Sequence, residues 1–348
     1  AVETLRDALG ALGPGERRTV DGTVAAVRID VTELARCGLG DASDAPPLDR
    51  VARFTRPWQI VPSNDEALVD DAATLRETGA PDRRIFGVEF VEGSRRPACL
   101  RREDWIESDD LEARFPQVTW IEPVHALVAE SARVRPGAMI DAEDGPVVLG
   151  PGVVVNPLAV VTGPAYLGPG TVVNPGAKLR EGTSLGAFCK VGGEVEESVV
   201  LDLSNKQHDG FLGHALVGSW VNLGADTNGS DLKNNYGPVR VDLGDGAVDT
   251  GETFVGQHLA DHVKTGIDTM LTTGGVVGVA GNVFGGGFAP RFVPAFGWGG
   301  AQAMTTYRLE DALATARTAM GRRDVVWSAG VEALLRHVFE ATRDQRDG

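Results

Sequence analysis

A period of six residues in the middle of the chain limits its fold more than any other feature. Neither an alternating strand, with a period of two residues, nor an α-helix, with a period of 3.6, explains this spacing. In a parallel β-helix each hexad is one short strand with a turn, and its aliphatic residue points into a prism-shaped core. The repeat therefore predicts a mainly β, parallel β-helix. Eight consecutive hexads open with an aliphatic residue: Leu149, Val155, Val161, Leu167, Val173, Leu179, Leu185 and Val191.

The phase of the repeat changes further along the chain. A Gly-rich β-sandwich would not keep one phase over the 48 residues of the eight hexads. The register is lost across 197–211, which predicts a loop projecting from a coil. It resumes at Leu212, Val217 and Leu223, and continues irregularly from Val255 to Val283. The 45 glycines of the chain fit such a series of tight turns.

The regions on either side of the repeat predict different structure. Residues 1–125 contain no hexads and predict a small α/β domain, with a capped helix after Ser63 and strands at 85–91 and 118–121. Residues 126–300 form the predicted β-helix domain. Residues 301–348 predict a helical tail, with one apolar face from Leu309 and a second from Val331. The tail either packs along the β-helix or serves as a lid or docking element.

Composition excludes several classes of protein. The chain of 348 residues has 33 Lys and Arg against 49 Asp and Glu, and this net charge of −16 argues against a nucleic-acid partner. No apolar stretch approaches the roughly 20 residues of a membrane helix, and the N-terminus lacks a signal-peptide pattern. Cys37, Cys99 and Cys189 are too few and too far apart for a disulfide framework or a Cys-based zinc site. A cytoplasmic protein is expected.

All of the lysines and most of the histidines fall in one window, which predicts a polar site there. The segment 204–210 is the least repeat-like part of the β-helix, and His208 at the edge of a coil suits a general base. A histidine with a purely structural role is the alternative. Beside 28 arginines the chain has five lysines, all in this window, and four of its six histidines: Lys178, Lys190, Lys206, Lys233, Lys264, His208, His214, His258 and His262.

The stretch from His208 to Ala225 resembles the acetyltransferase domain of bifunctional glucosamine-1-phosphate acetyltransferase/N-acetylglucosamine-1-phosphate uridyltransferase. In that family a His-x-x-aromatic-aliphatic-Gly segment precedes a Val-Asn-Ile-Gly-Ala run. Sugar-nucleotidyltransferase relatives also share the Ser-Asn-Lys-Gln-His run at 204–208 and the run from Asp261 to Met270. The resemblance implies a left-handed β-helix, acyl transfer from acetyl-CoA or another acyl-CoA, and a homotrimer with sites between its subunits.

The resemblance also implies roles for individual residues. His208 matches the catalytic base, and Phe211 replaces a substrate-contacting tyrosine. Asn222 matches a residue that contacts the sugar, and Arg180 one that binds its phosphate. The expected acceptor-binding residues, among them lysines that can neutralise a phosphate or carboxylate, are Arg180, Lys190, Lys206, Phe211 and Asn222. The expected coenzyme-binding residues are Asn235, Tyr236, His262 and Lys264.

One part of the family pattern is missing. The glycines of 9–15 are not followed by the Thr-Arg pattern of the uridyltransferase loop, and Pro14 removes a donor N–H. Nucleotidyltransferase activity is therefore not expected.

The sequence thus predicts an acyl-CoA-dependent N-acyltransferase that needs no metal and acts on an amino sugar, a sugar phosphate or a related amine. Two alternatives stay open. One is a non-catalytic trimeric scaffold or sugar-nucleotide-binding protein. The other is a metalloenzyme like the β-helical carbonic anhydrases, in which His258 and His262 would bind zinc with His208 or His214 as third ligand.

Overall fold

The computed structural model describes residues 17–20, 23–27, 56–78, 90–93 and 105–346. The chain divides into two compact units, one of Ala1–Arg56 with Trp327–Ala341 and one of Pro57–Val326 with Thr342–Gly348. The helices are α1 (Asn64–Thr78), α2 (Leu111–Arg114), α3 (Leu309–Gly321) and α4 (Ala329–Ala341). In the first unit, β1 and β2 form an antiparallel pair. No helix in the described ranges is long and apolar enough to span a membrane.

The strands are short, most of them two or three residues long. In chain order they are β1 (Arg17–Val20), β2 (Thr23–Val27), β3 (Trp105–Ile106), β4 (Thr119–Ile121), β5 (Ala126–Ala129), β6 (Arg133–Val134), β7 (Met139–Asp141), β8 (Val147–Leu149), β9 (Val154–Val155), β10 (Val160–Thr162), β11 (Ala165–Leu167), β12 (Val172–Val173), β13 (Lys178–Leu179), β14 (Thr183–Leu185), β15 (Lys190–Val191), β16 (Glu194–Glu196), β17 (Val199–Val200), β18 (Asn205–Lys206), β19 (Phe211–Gly213), β20 (Leu216–Val217), β21 (Asn228–Gly229), β22 (Arg240–Asp242), β23 (Ala247–Asp249), β24 (His258–Leu259), β25 (Lys264–Thr265), β26 (Met270–Leu271), β27 (Val276–Val277), β28 (Asn282–Val283), β29 (Phe292–Val293), β30 (Gly297–Gly299) and β31 (Met304–Thr306).

In the second unit these strands build a parallel β-solenoid with three sides. One side is a ten-stranded sheet from β3 to β29, and the second is an eight-stranded sheet from β4 to β26. The third side has a five-stranded part from β6 to β18 and a four-stranded part from β25 to β31, joined by bridges from Asn222 to Asn205 and Lys264. Only β3 and β31 are antiparallel to their neighbours in these sheets. The mainly β, parallel fold is confirmed, and its left-handed winding stays a prediction.

The hexad residues form the core of the solenoid. All eight predicted aliphatics, from Leu149 to Val191, are at most 1% exposed. In the regular coils Val160 pairs with Lys178, so that a residue returns to the same side after 18 positions. Three hexads therefore make one coil with one inward aliphatic on each side, as the repeat predicts.

The prediction of a projecting loop at 197–211 is wrong for most of this segment. Strands β17 and β18 continue the coil, and residues 207–210 form a short loop before β19 begins. Lys190 pairs with Asn205, only 15 residues away, because this coil is shorter than the regular ones. The corners of this coil are shorter than those of the regular coils, and Glu197 and Leu203 take left-handed backbone conformations there. The hexad phase is lost although the solenoid is not interrupted.

The second unit contains an insertion at 230–257, between β21 and β24. Its β22–β23 hairpin is antiparallel. Trp58, from the segment before α1, packs in one cluster with Val239, Val241 and Val255 from the insertion and with Val276 of the ten-stranded sheet. The insertion is thus fixed against the outer face of that sheet by apolar contacts.

The predictions for the flanking regions have mixed outcomes. The predicted helix is α1, and the Ser63 hydroxyl before it donates to the carbonyl oxygen of Gln59, four residues earlier. The strand predicted at 118–121 is β4, which already belongs to the solenoid. Most of the strand predicted at 85–91 lies outside the described residues. The two tail helices are α3 and α4, and the domain limits of 1–125, 126–300 and 301–348 stay predictions.

The burial of the inward aliphatic residues predicts how much each contributes to the free energy of unfolding. Leu185 is fully buried at an inward position, whereas Leu158 is 71% exposed at a corner. We expect Leu185→Ala to lower the free energy of unfolding by about 2–5 kcal/mol, because the cavity it leaves cannot collapse in a stacked coil. Leu158→Ala is the matched control and should change it by less than about 0.5 kcal/mol. Urea denaturation followed by circular dichroism measures both, and equal effects would contradict the inward stack.

Candidate functional site

His208 lies in the short loop 207–210, at the corner between the third side and the eight-stranded sheet. The side chain is exposed, and its imidazole makes no hydrogen bond with any described residue. The backbone N–H groups of His208, Asp209 and Gly210 likewise donate to no described residue. The loop thus presents an unpaired imidazole close to several unpaired N–H donors. This is a chemically usable combination of a base and hydrogen-bond donors.

Lys206 points into the solenoid rather than outward to solvent. Its ammonium donates hydrogen bonds to the carbonyl oxygens of Gly192 (3.2 Å), His208 (2.7 Å) and Asp209 (3.3 Å). Burial lowers the pKa of Lys206 to about 8, against the opposing effect of the Asp209 and Asp226 carboxylates. The ammonium is therefore occupied within the chain, and the expected substrate contact stays a prediction.

Three predicted residues share one outward row on the third side. Lys190 pairs with Asn205, and Asn222 bridges Asn205 and Lys264, so that the four side chains follow one another across successive coils. The Asn205 amide donates to Asn222 Oδ1 at 3.2 Å, and the Arg323 guanidinium donates to Asn205 Oδ1 at 2.7 Å. The structure thus places Lys190 and Asn222, predicted for the acceptor, in a row with Lys264, predicted for the coenzyme.

Burial and neighbouring cations affect the charged members of this row. The pKa of Lys190 is lowered by burial and by Arg323 and Arg322, and burial lowers the pKa of Lys264 to about 8. The Lys264 ammonium donates to the His262 carbonyl oxygen at 3.0 Å. In the described part of the chain no carboxylate forms a salt bridge with Lys190, Lys264 or Arg323. On a chain of net charge −16, this row is a local excess of positive charge.

His262 is buried at a corner next to the row. Its ring stacks on Trp220, with centroids 5.9 Å apart and an angle of 4° between the planes. Burial and the Lys264 cation lower the pKa of His262 to about 3, so the ring is neutral. Nδ1 has no partner among the described residues. A direct contact with the coenzyme stays a prediction.

The remaining predicted residues lie outside the row, at three different places in the second unit. Arg180 follows β13, at the corner between the eight-stranded and ten-stranded sheets, and its guanidinium contacts Glu181, Glu194 and Glu196. Asn235 and Tyr236 are exposed in the insertion. Phe211 begins β19, next to the loop, and its N–H donates to Asn228 Oδ1 at 2.9 Å. The structure therefore does not bring Arg180 to the same corner as His208.

The sequence did not predict a His–Asp pair at the other end of β19. His214 Nδ1 lies 2.8 Å from Asp231 Oδ2, and the ring of Phe254 stacks on the imidazole at 5.1 Å. His214 belongs to the histidine-rich window, which was a usable signal. Asp231 comes from the insertion, and no spacing in the sequence connects it to His214. A histidine held by a carboxylate in this way is an alternative proton acceptor.

Carboxylates surround this pair. Burial and the neighbouring carboxylates of Asp65, Glu181 and Glu196 raise the pKa of Glu197 to about 7, although His214 opposes them. Glu196, His214 and Asp231 each offer one possible metal-ligand atom, and these atoms lie within 4.8 Å of one another. The group includes neither His258 nor His262, the histidines expected in the metalloenzyme alternative. The Arg180 guanidinium already neutralises part of its charge.

Similarity to known proteins is limited to parts of the chain. No protein-family model matches it. Among curated proteins it is similar to a bifunctional sugar-1-phosphate nucleotidylyltransferase/acetyltransferase from Sulfurisphaera tokodaii, with 28% identity over 100 residues. The match covers 29% of this chain, which spans about a quarter (25%) of the length of that relative.

Several solved structures are similar to the chain. Arabidopsis UDP-N-acetylglucosamine acyltransferase has 15% identity, covers 66% of this chain and 93% of its own, and gives a TM-score of 0.27. A variant of AntD, an N-acyltransferase from Bacillus cereus in complex with dTDP-4-amino-4,6-dideoxyglucose and coenzyme A, has 10% identity, coverages of 63% and 98%, and a TM-score of 0.25. A hexapeptide transferase family protein from Anaplasma phagocytophilum has 14% identity, coverages of 63% and 96%, and a TM-score of 0.19. TM-scores below 0.5 decide neither the fold nor the function of this chain.

His258 provides a pH-dependent prediction. Burial lowers its pKa to about 4, and neither ring nitrogen has a partner among the described residues. Between this value and the unfolded value of 6.5, only the unfolded chain binds the proton, so stability falls as the pH falls through this window. From pH 7 to pH 5 the wild type should lose about 2 kcal/mol more of its free energy of unfolding than His258→Phe. Denaturant titrations at both pH values measure this difference, and parallel losses would contradict it.

Proposed function

We propose that the chain is an acyl-CoA-dependent N-acyltransferase that transfers an acyl group, acetyl in the first instance, to the amine of a sugar phosphate or sugar nucleotide. The observation that carries the proposal is the 207–210 loop, where the unpaired His208 imidazole stands beside three unpaired N–H groups. The 28% identity with a sugar-1-phosphate nucleotidylyltransferase/acetyltransferase over 100 residues supports the same class of acceptor.

In the proposed reaction, the amine attacks the thioester carbonyl carbon and His208 takes the proton that the amine loses. The N–H groups of 208–210 stabilise the negative oxygen of the tetrahedral intermediate. The C–S bond then breaks, an amide forms, and coenzyme A leaves as a thiolate that takes up a proton. The neutral form of His208 is the active one, because a base must have a free lone pair.

The row of Lys190, Asn222 and Lys264 is proposed to bind phosphate groups of the substrates. Ammonium groups attract phosphate oxygens as point charges, and the Asn222 amide adds a neutral polar contact. The row and the His208 loop are connected along β18, since Asn205 lies in the row and Lys206 leads into the loop. His208 and Asn222 are exposed in one chain, so we propose that a second copy in a homotrimer covers the site.

The test measures thiol release from acetyl-CoA with a panel of amino sugars, their 1-phosphates and nucleotide-linked amino sugars. We expect His208→Ala to lower kcat by about 10²–10⁴-fold, because general-base catalysis contributes this much. His125→Ala is the matched control, since His125 Nδ1 contacts the Ala142 carbonyl in an early coil, away from the loop. His214→Ala tests the alternative proton acceptor.

The outcomes separate the candidate functions. Loss of activity in His208→Ala alone, with no effect of a chelator, supports the proposal. If His214→Ala loses activity and His208→Ala keeps normal turnover, the general base is His214, held by Asp231. Activity removed by a chelator would support a metal at Glu196, His214 and Asp231. No thiol release with any acceptor, from folded protein, would overturn the enzymatic proposal.

A further inference from the structure

Lys206 occupies a core position that the repeat reserves for aliphatic residues. On the third side Val155, Val173 and Val191 pair in register along the inward row, and Lys206 pairs next with Val191. The lysine is only 5% exposed. Burying an ammonium costs free energy unless hydrogen bonds compensate the lost water, so the partners of this group indicate why it is there.

The space around the ammonium is shaped by glycine. A Cβ atom on Gly193 would lie 2.8 Å from Lys206 Nζ and 2.9 Å from the His208 carbonyl oxygen. Gly193 also has a φ of +70°, which favours glycine at this corner. The absent side chain leaves room for the ammonium to reach the carbonyl groups of the next coil.

The bonds of Lys206 belong to a complete set on the loop 207–210. Asn174 Nδ2 donates to the Gln207 carbonyl oxygen at 2.8 Å, and the Glu194 N–H donates to that of Gly210 at 3.1 Å. Lys206 holds the two carbonyl groups between them, those of His208 and Asp209. All four consecutive carbonyl groups are therefore bonded, whereas the N–H groups of 208–210 and the His208 imidazole are left for a ligand.

We propose that Lys206 is a positioning residue, whose buried ammonium fixes the loop 207–210 and thereby orients the His208 imidazole and the N–H groups beside it. The proposal rests on the proposed function for its catalytic consequence. Without the ammonium, the carbonyl groups of His208 and Asp209 lose their donor and turn toward water. The loop then occupies several conformations, and the base and the donors no longer face the same substrate atoms.

The geometry of the loop can be tested without any substrate. An endoproteinase specific for the bond before Asp cleaves His208–Asp209 only when the loop opens, and the rate follows the population of the open form. Lys206→Met keeps the length of the side chain and removes the ammonium. We expect cleavage at this bond to be at least about tenfold faster than in the wild type. Lys178→Met is the matched control, because Lys178 is an exposed lysine on the eight-stranded sheet, paired with Glu194 at 3.5 Å.

The catalytic consequence needs a separate measurement. With an acceptor that supports turnover, Lys206→Met should lower kcat by about 100-fold, since a displacement of the base of the order of 1 Å has this effect. The KM for acetyl-CoA should stay within about threefold, because the hydrogen bonds of the buried ammonium go to carbonyl groups of the chain. Lys178→Met should behave as the wild type.

The two measurements distinguish this proposal from the proposed function. If the wild type releases no thiol, the acyltransferase proposal fails, and the cleavage rates still decide whether Lys206 fixes the loop. The positioning role is overturned if the endoproteinase cleaves Lys206→Met no faster than the wild type. It is also overturned if Lys206→Met is cleaved faster but its kcat for acyl transfer is unchanged. Should Lys206→Met fail to fold, Lys206→Val, which places the valine of the inward row at this position and has no N–H donor on its side chain, replaces it under the same criteria.

Discussion

The structure depends on one constraint, which is that each side of every coil must place an apolar side chain in a narrow triangular core. Leu149 to Val191 meet it in an unbroken series and are almost completely buried. Strands of two or three residues have too few hydrogen bonds to be stable alone, so the stack of inward aliphatics and the parallel ladders support each other. Every exception to the aliphatic row is therefore costly and calls for a physical reason.

Lys206 is the clearest exception. An ammonium replaces a valine in the inward row, and the three carbonyl groups it binds belong to the coil above and to the loop beside it. The same device that interrupts the apolar core fixes the loop that carries His208. Core packing and site geometry are thus coupled at Lys206. Burial of its ammonium lowers the stability of the core, and its hydrogen bonds define the conformation of the loop.

The eight-stranded sheet separates two polar corners. Residues 207–210 precede β19, and His214 follows it, so the two histidines lie at opposite ends of one strand. The first corner presents unpaired donors and an unpaired imidazole, which suits binding and proton transfer. The second is internally paired, with His214 on Asp231 and Arg180 on Glu196. Arg180 therefore lies at the second corner, and its contact with the sugar phosphate stays a prediction.

The sequence by itself determined the solenoid, its core residues, the helices α1, α3 and α4, and the polar window, because local periodicity and helix signals need no knowledge of distant contacts. Only the tertiary structure decided that 197–206 continues the coil. Its corners are shortened, so the inward residues are no longer six positions apart although the strands are still formed. It also decided which polar residues meet. Asp231 reaches His214 from an insertion, Asn222 joins Asn205 and Lys264 across two coils, and Lys206 turns inward. Such pairings arise from the stacking of coils of unequal length, which no spacing along the chain encodes.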